Sequence, residues 1–322
     1  MTPNPPAPKP LAEVIRPTTI IEPARLCRRF GLDLFLASET FQHTGSFKFR
    51  AAYNVAAKVS QDRIITASSG NFGQAMALAC QMLGKGCVVV MPDTSARVKI
   101  DAVREFGGVV DLIEVGRKSR RERVQELATQ DPGAYVASAY DDPLVIEGNS
   151  SLGEELGALG RSFDCVLTPV GGGGLASGLV RGLGRSGRSA RVFGVEPRLA
   201  NDAARSLRAG FIVVNETEPQ TLADGVRTVS LGQHNWEVLR QGLADIIEVT
   251  EEEIREAVRL LFLYANVKAE PTGALAIAAL LARTDLFRGR SVCAVISGGN
   301  VDPTLFCGLV GEPENAPPGC AN

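Results

Sequence analysis

Histidine is scarce in this chain: His43 and His234 are the only two in 322 residues. That excludes a zinc site built from several histidines, and Ser-His-Asp chemistry would have to recruit one of these two. No Cys-x-x-C pair occurs among the seven cysteines, scattered at 27, 80, 87, 165, 293, 307 and 320. An odd count without framework spacing points to reduced thiols in a cytosolic protein, packed mostly as small apolar side chains. There is no apolar run of about 18 residues, so no membrane span is expected. The opening MTPNPPAPKP lacks an apolar core and reads as a loose arm rather than a secretory signal; GEPENAPPGCAN at the other end reads as a frayed tail. Neither sign of charge is in excess. A net charge of −2, with acids and bases interspersed, argues against nucleic acid or an anionic membrane as partner.

What the chain does have is a 45% apolar share, enough for a sizeable core, and a length that fits one or two domains. Short continuous apolar runs alternate with helix-patterned segments. The expected strands are Arg63–Ala67, Cys87–Met91, Val109–Val115, Tyr135–Ala137, Cys165–Thr168, Arg191–Val195, Ile246–Val249 and Val292–Ile296. Between them, helices are expected near 46–58, 71–83, 95–106, 117–129, 143–159, 174–183, 199–208, 235–242, 250–264 and 271–284. Strands apolar on both faces imply sheets covered on both sides, hence an α/β fold with mainly parallel strands. Ligands of such sheets sit beyond the carboxyl ends of the strands, so the turns that follow strands carry the functional argument.

Five segments stand out. Gly171-Gly172-Gly173-Gly174 follows the strand CVLTPV and opens a helix. Four glycines cost backbone entropy, but they let consecutive N–H groups converge on a phosphate at a helix N-terminus. Gly171, Gly173 and Ala176 also satisfy the dinucleotide pattern G-x-G-x-x-A, with Glu196 further on, so a nicotinamide or flavin enzyme is a rival reading. In Thr44-Gly45-Ser46-Phe47-Lys48, Gly45 and Ser46 supply a turn and an N-cap, which places Lys48 in the first turn of an apolar helix. The helix dipole and the flanking Phe47 and Phe49 disfavour the ammonium, as a nucleophilic or proton-abstracting lysine requires. Ser68-Ser69-Gly70-Asn71-Phe72 makes a second helix-start anion site, suited to a carboxylate. Ser297-Gly298-Gly299-Asn300 would present a neutral hydroxyl at the sheet edge. Glu196 and Asp202 flank the Ala200 carbonyl, an oxygen set that suits a hard cation.

The order of these motifs resembles the fold type II family of pyridoxal-phosphate enzymes, in its threonine/serine dehydratase and serine racemase branch. The resemblance spans roughly residues 10–305. It implies two open twisted, mainly parallel sheets flanked by helices: a large cofactor-binding domain of residues 1–58 and 139–322, and a small mobile domain of residues 59–138. It implies that Lys48 bonds to the cofactor aldehyde and removes the substrate's α-proton. Gly171, Gly172, Gly173 and Gly174 would hold the phosphate, Phe47 would pack beside the ring, Asn71 would meet the 3-hydroxyl and Ser297 the pyridine nitrogen. A hydroxyl there makes the ring a weaker electron sink than a carboxylate would, which favours prompt loss of a group at Cβ.

The resemblance further implies that Ser68, Ser69, Asn71, Phe72, Arg120 and Thr228 face the substrate. It makes Ser69 the second acid/base should the chain racemise, and Glu196, Ala200 and Asp202 the ligands of Mg²⁺ or Ca²⁺. The expected activity is dehydration of a β-hydroxy-L-amino acid to a 2-oxo acid and ammonia by a cytoplasmic homodimer; racemisation is the alternative. Phe72 stands where the branch commonly has histidine, and Glu147-Gly148-Asn149-Ser150-Ser151 replaces its usual turn. The aromatic suggests a substrate with an apolar or aryl β-substituent.

Overall fold

The computed structural model describes residues 8–68, 70–95, 97–187 and 189–311. Most of the proline-rich arm, the tail, Cys320 and the candidate Ser69 therefore lie outside the described residues. Among the described residues ten strands form two sheets. They are β1 (Thr19–Ile21), β2 (Asp33–Ser38), β3 (Arg63–Ala67), β4 (Gly86–Pro92), β5 (Val109–Ile113), β6 (Tyr135–Ala137), β7 (Cys165–Pro169), β8 (Arg191–Pro197), β9 (Leu243–Val249) and β10 (Ser291–Ile296).

The larger sheet has the order β1-β2-β10-β7-β8-β9, parallel except for β1, and the smaller has the order β5-β4-β3-β6, parallel throughout. Every strand expected from sequence is present. β1 and β2 were not expected, because three residues of β1 carry almost no periodic signal and β2 follows only the short helix Ala24–Phe30. The described cysteines are free thiols, four of them buried.

Centrality in the sheet explains the composition. β10 lies between β2 and β7, pairing Val292 with Leu34 on one side and with Cys165 on the other, and its last five residues are buried. A strand with partners on both edges and helices on both faces has no use for polar side chains. The helix Lys48–Lys58 packs against both Asn71–Leu83 and Pro143–Ala158. Its start is pinned by Arg50, which is wholly buried, pairs with Glu39 and Glu155 at 2.7 Å each, and donates to Thr18. A buried guanidinium with this many acceptors fixes the backbone two residues from Lys48. The carboxyl ends of β3, β6, β7 and β10 thus open on one region between the sheets.

Candidate functional site

Lys48 is the first residue of its helix. Its amine donates to the Ala139 carbonyl at 2.8 Å, past the end of β6, and lies 5.0 Å and 5.6 Å from the ring centres of Phe47 and Phe72. Burial among these groups lowers the lysine to about 8, against an opposing pull from the Glu270 carboxylate. Ser46 does not cap this helix, contrary to the sequence expectation. It bridges to Gly298, the cap position belongs to Phe47, and the Ser46 hydroxyl is buried without a hydrogen-bond partner. Tertiary pairing with the 297–300 turn has overridden the local preference. Gly45 makes the expected turn, at φ +70°.

Asn71 opens the helix Asn71–Leu83 behind Gly70. Its amide donates to Glu270 at 2.7 Å, while its oxygen accepts from Asn300 at 2.8 Å and from Gln74 at 3.2 Å. Glu270 is buried, and burial together with Asp224 raises its carboxyl to about 8. The sequence reading missed Glu270. Its only signal is a lone acid inside the apolar stretch VKAEPTGALAIAAL. Ser68 accepts from the Gly70 N–H at 3.3 Å, and the Ser297 carbonyl accepts from the Phe47 N–H at 3.0 Å. One ring of contacts therefore joins Lys48, Asn71, Glu270 and Ser297.

The glycine turn completes the ring. Gly171 and Gly173 have φ of +51° and +97°, which disfavours any side chain. A Cβ on Gly172 would stand 2.3 Å from the Tyr140 ring, so only glycine fits. Asn235 braces the turn from behind, donating to the carbonyls of Gly172 and Tyr140 at 2.8 Å and 2.9 Å; Asn149 donates to Gly174 at 3.0 Å. The helix Gly174–Arg185 has no side-chain cap, so its first-turn N–H groups are free for an anion. Tyr140 adjoins Ala139, the acceptor of Lys48, so amine and anion cradle sit on neighbouring residues.

Other candidates fall differently. Phe72, read as a wall for an apolar β-substituent, is 1% exposed and packs in the core with its ring centre 5.6 Å from the Lys48 amine. Arg120 pairs with Glu218 at 2.8 Å, close enough to Tyr140 to act on its hydroxyl. The Thr228 hydroxyl is buried and unpartnered. Glu196 is buried and accepts from the Ala204 N–H at 2.9 Å, so it cannot reach a ribose; this removes the structural basis of the dinucleotide reading. Among the described residues no three His, Cys, Asp or Glu side chains group to hold a metal ion. Glu196 and Asp202 nevertheless keep one buried oxygen each without a partner.

A lysine amine, an anion cradle of backbone N–H groups and a hydroxyl at the sheet edge are the parts that a phosphorylated aldehyde cofactor needs. The sequence model of the pyridoxal-phosphate-dependent enzymes matches residues 11–298. The chain belongs to this family. The relatives of this family member include L-threo-3-hydroxyaspartate ammonia-lyase of Saccharomyces cerevisiae, 32% identical over 312 residues, 95% of each chain. Serine racemase of Mus musculus is 32% identical over 318 residues, covering 96% of this chain and 93% of that one. Among solved structures, a threonine deaminase from T.th. superposes with a TM-score of 0.85 at 38% identity, covering 91% of this chain and 95% of that one. The family implies pyridoxal phosphate as cofactor, and the uncapped N–H groups at the start of the helix Gly174–Arg185 fit its phosphate.

Proposed function

We propose that the chain is a pyridoxal-phosphate-dependent ammonia-lyase that converts a β-hydroxy-L-amino acid to a 2-oxo acid and ammonia. The observation that carries it is the Lys48 amine held at Ala139, one residue from the Tyr140 ring that shapes the glycine turn. When bound, the cofactor ring takes up the negative charge left at Cα after proton removal. The remaining work falls to the chain. Gly171, Gly172 and Gly174 offer backbone N–H groups to the phosphate, that of Gly173 being donated to the Val170 carbonyl at 2.9 Å; Phe47 flanks the ring, and Ser297 offers a hydroxyl where a carboxylate would hold a proton. Lys48, already poorly solvated, takes the α-proton and holds it on Nζ within reach of the departing hydroxyl. Ser68 and Asn71, at a helix start, orient the substrate carboxylate.

Two bodies are proposed, residues 1–58 with 139–322 and residues 59–138, the smaller closing over substrate. A cytoplasmic homodimer is proposed with them, checked by sedimentation and by localisation of the tagged chain. No helix among the described residues is long and apolar enough to cross a membrane. Glu196, Asp202 and the Ala200 carbonyl are proposed to take Mg²⁺ or Ca²⁺, since two buried carboxylate oxygens lack partners. Likeness to serine racemase keeps a second reading open, with Lys48 and Ser69 as opposed acid and base. Chiral analysis of recovered serine separates the two.

The deciding test is ammonia release by the cofactor-loaded protein from serine, threonine, 3-hydroxyaspartate and phenylserine. Activity on at least one is expected, with a loss of about 10⁴-fold or more in Lys48→Ala. Undiminished turnover in that variant overturns the assignment.

A further inference from the structure

The helix Gln233–Gly242 begins behind Gly232 and receives no side-chain cap from that residue. Its cap comes from elsewhere in the chain. The two carboxylate oxygens of Asp141 accept from the N–H groups of Gln233 at 3.0 Å and His234 at 2.9 Å, across 92 and 93 residues. The approach is close: a Cβ on Gly232 would stand 2.4 Å from Asp141. A carboxylate at this end of a helix satisfies donors that lack an intrahelical partner and meets the favourable end of the dipole. Asp141 is itself held by Ser138, whose hydroxyl accepts its N–H at 2.9 Å.

What this helix start supports is the glycine turn. The carbonyl of Gly172 accepts from it twice, from the Gly232 N–H at 3.1 Å and from the Asn235 amide at 2.8 Å. The same amide donates to the Tyr140 carbonyl at 2.9 Å. Its nitrogen thus serves two carbonyls while its oxygen is buried without a partner. A buried acceptor with no donor is costly, so this orientation persists only while the helix beneath it is fixed.

We infer that Asp141 is a positioning residue for the cofactor: by capping the helix Gln233–Gly242 it fixes Gly232 and Asn235, and through them the Gly172 peptide and the turn that receives the phosphate. This deepens the proposed function and rests on its cofactor half, not on which amino acid is consumed. Residues 139 to 141 then act as one gauge. Ala139 accepts from the Lys48 amine, Tyr140 packs against Gly172, and Asp141 anchors the helix that braces the same turn. Amine and phosphate cradle are held at a set separation before the cofactor arrives, and preorganisation of this kind is read as affinity.

The test measures cofactor binding to the full-length protein stripped of cofactor, comparing wild type with Asp141→Ala, Asp141→Asn and Thr250→Ala. Thr250 caps the helix Glu251–Ala265, and its bonds go to Glu253 and Ile254 rather than to the glycine turn. Pyridoxal 5′-phosphate and pyridoxal, which lacks the phosphate, are titrated by absorbance. Asp141→Ala should weaken the phosphorylated form about 30-fold and pyridoxal by no more than about twofold, the upper range for loss of a charged helix cap. Asp141→Asn keeps one acceptor oxygen and should recover to within about fivefold of wild type. Thr250→Ala should lower the melting temperature and leave both affinities unchanged. Inorganic phosphate should raise the melting temperature of the wild type and not of Asp141→Ala.

An equal loss on both aldehydes, a phosphate shift that survives Asp141→Ala, or the same selective loss in Thr250→Ala would overturn the inference. If Asp141→Ala does not fold, Asp141→Asn decides: a loss confined to the phosphorylated form supports the inference, and no such loss overturns it. Where pyridoxal binds too weakly to titrate, or the wild type binds neither aldehyde, the inorganic phosphate shift decides; the second case also sinks the proposed function. The expected binding pattern in a protein that releases ammonia from no amino acid leaves the inference standing and removes the lyase reading.

Discussion

The two sheets are held together to different standards. In the six-stranded sheet, β7 is buried along its whole length and β10 along all but its first residue. At the edge of the four-stranded sheet, β5 buries only Ile113 and leaves Val109 and Leu112 exposed. The helix Arg120–Gln130 beside it buries no residue, and it is tied down through Arg123 to Asp111 of β5 and through Glu126 to Lys118 of the preceding loop. Exposed ion pairs of this kind contribute about 0–1 kcal/mol each, far less than a buried aliphatic side chain. The glycine turn and Ser297 thus belong to the rigid side, while the helix of Lys48 buries its apolar face in the core that also holds Ile64 and Val89 of the four-stranded sheet. Arg120 belongs to the side with less holding it in place, where small rearrangements around a substrate cost little.

The sharpest way to break that contrast is to add one methyl group to each side. Gly172→Ala places a Cβ into the Tyr140 ring on the rigid side, whereas Gly133→Ala, before β6, meets only Asp131 at 3.7 Å. Overpacking a site that cannot move costs about 1–3 kcal/mol. A shifted turn also misaligns every N–H aimed at the phosphate. Gly172→Ala should lower cofactor affinity about 100-fold and reduce the melting temperature, while Gly133→Ala should change stability by no more than about 0.5 kcal/mol. Equal tolerance of the two substitutions, measured by cofactor titration and thermal melts, would show the contrast to be false.

A pH series on Glu270 sharpens the comparison at the seam, since its carboxyl accepts from Asn71 of one side while its backbone N–H donates to Gly298 in the 297–300 turn of the other. Its carboxyl is raised in the folded protein from 4.5 to about 8, mainly by burial. A raised carboxyl binds more protons folded than unfolded across that window. Its contribution to stability is therefore complete below pH 4.5 and is lost as pH rises towards 8. Glu270→Gln carries no such dependence, so the melting temperature of the variant relative to wild type should climb between about pH 5 and 8. The same substitution removes the negative charge that the carboxyl takes on as pH approaches 8, where it supports the Lys48 ammonium. The alkaline rise of kcat/KM should then begin at lower pH in the variant, and a parallel displacement of both curves would count against a Glu270–Lys48 coupling.

What the sequence could disclose follows from the range of each interaction. Lys48, Ser297 and the four glycines announce themselves because each occupies a turn directly after a strand or at a helix start, a pattern contained within about ten residues. Glu270 could not be found that way: its partner Asn71 is 199 residues distant, and its neighbours in sequence look like core. Asp141 is similarly silent: beside Asp142 and Pro143 it reads as part of a local helix start, and only Gln233, 92 residues away, shows it capping another helix. Ser46 misled for the complementary reason, a good local cap claimed by a distant strand end.

The smallest effect concerns a pair of buried carboxylates on the rigid side. Glu196 leaves the end of β8 and Asp202 begins the next helix, and each carries a buried oxygen with no partner. Water cannot reach these atoms, and a buried acceptor without a donor costs about 1–3 kcal/mol. A cation bound between the two carboxylates would remove that cost. Millimolar Mg²⁺ or Ca²⁺ should therefore raise the melting temperature by a few degrees, corresponding to about 1–3 kcal/mol of linkage at an excess of roughly 10 to 100 over the dissociation constant. Asp202→Asn should abolish the response, and chelator should return the wild type to its starting point. A response that survives Asp202→Asn would place the cation elsewhere and leave the two oxygens as a cost that the surrounding core absorbs.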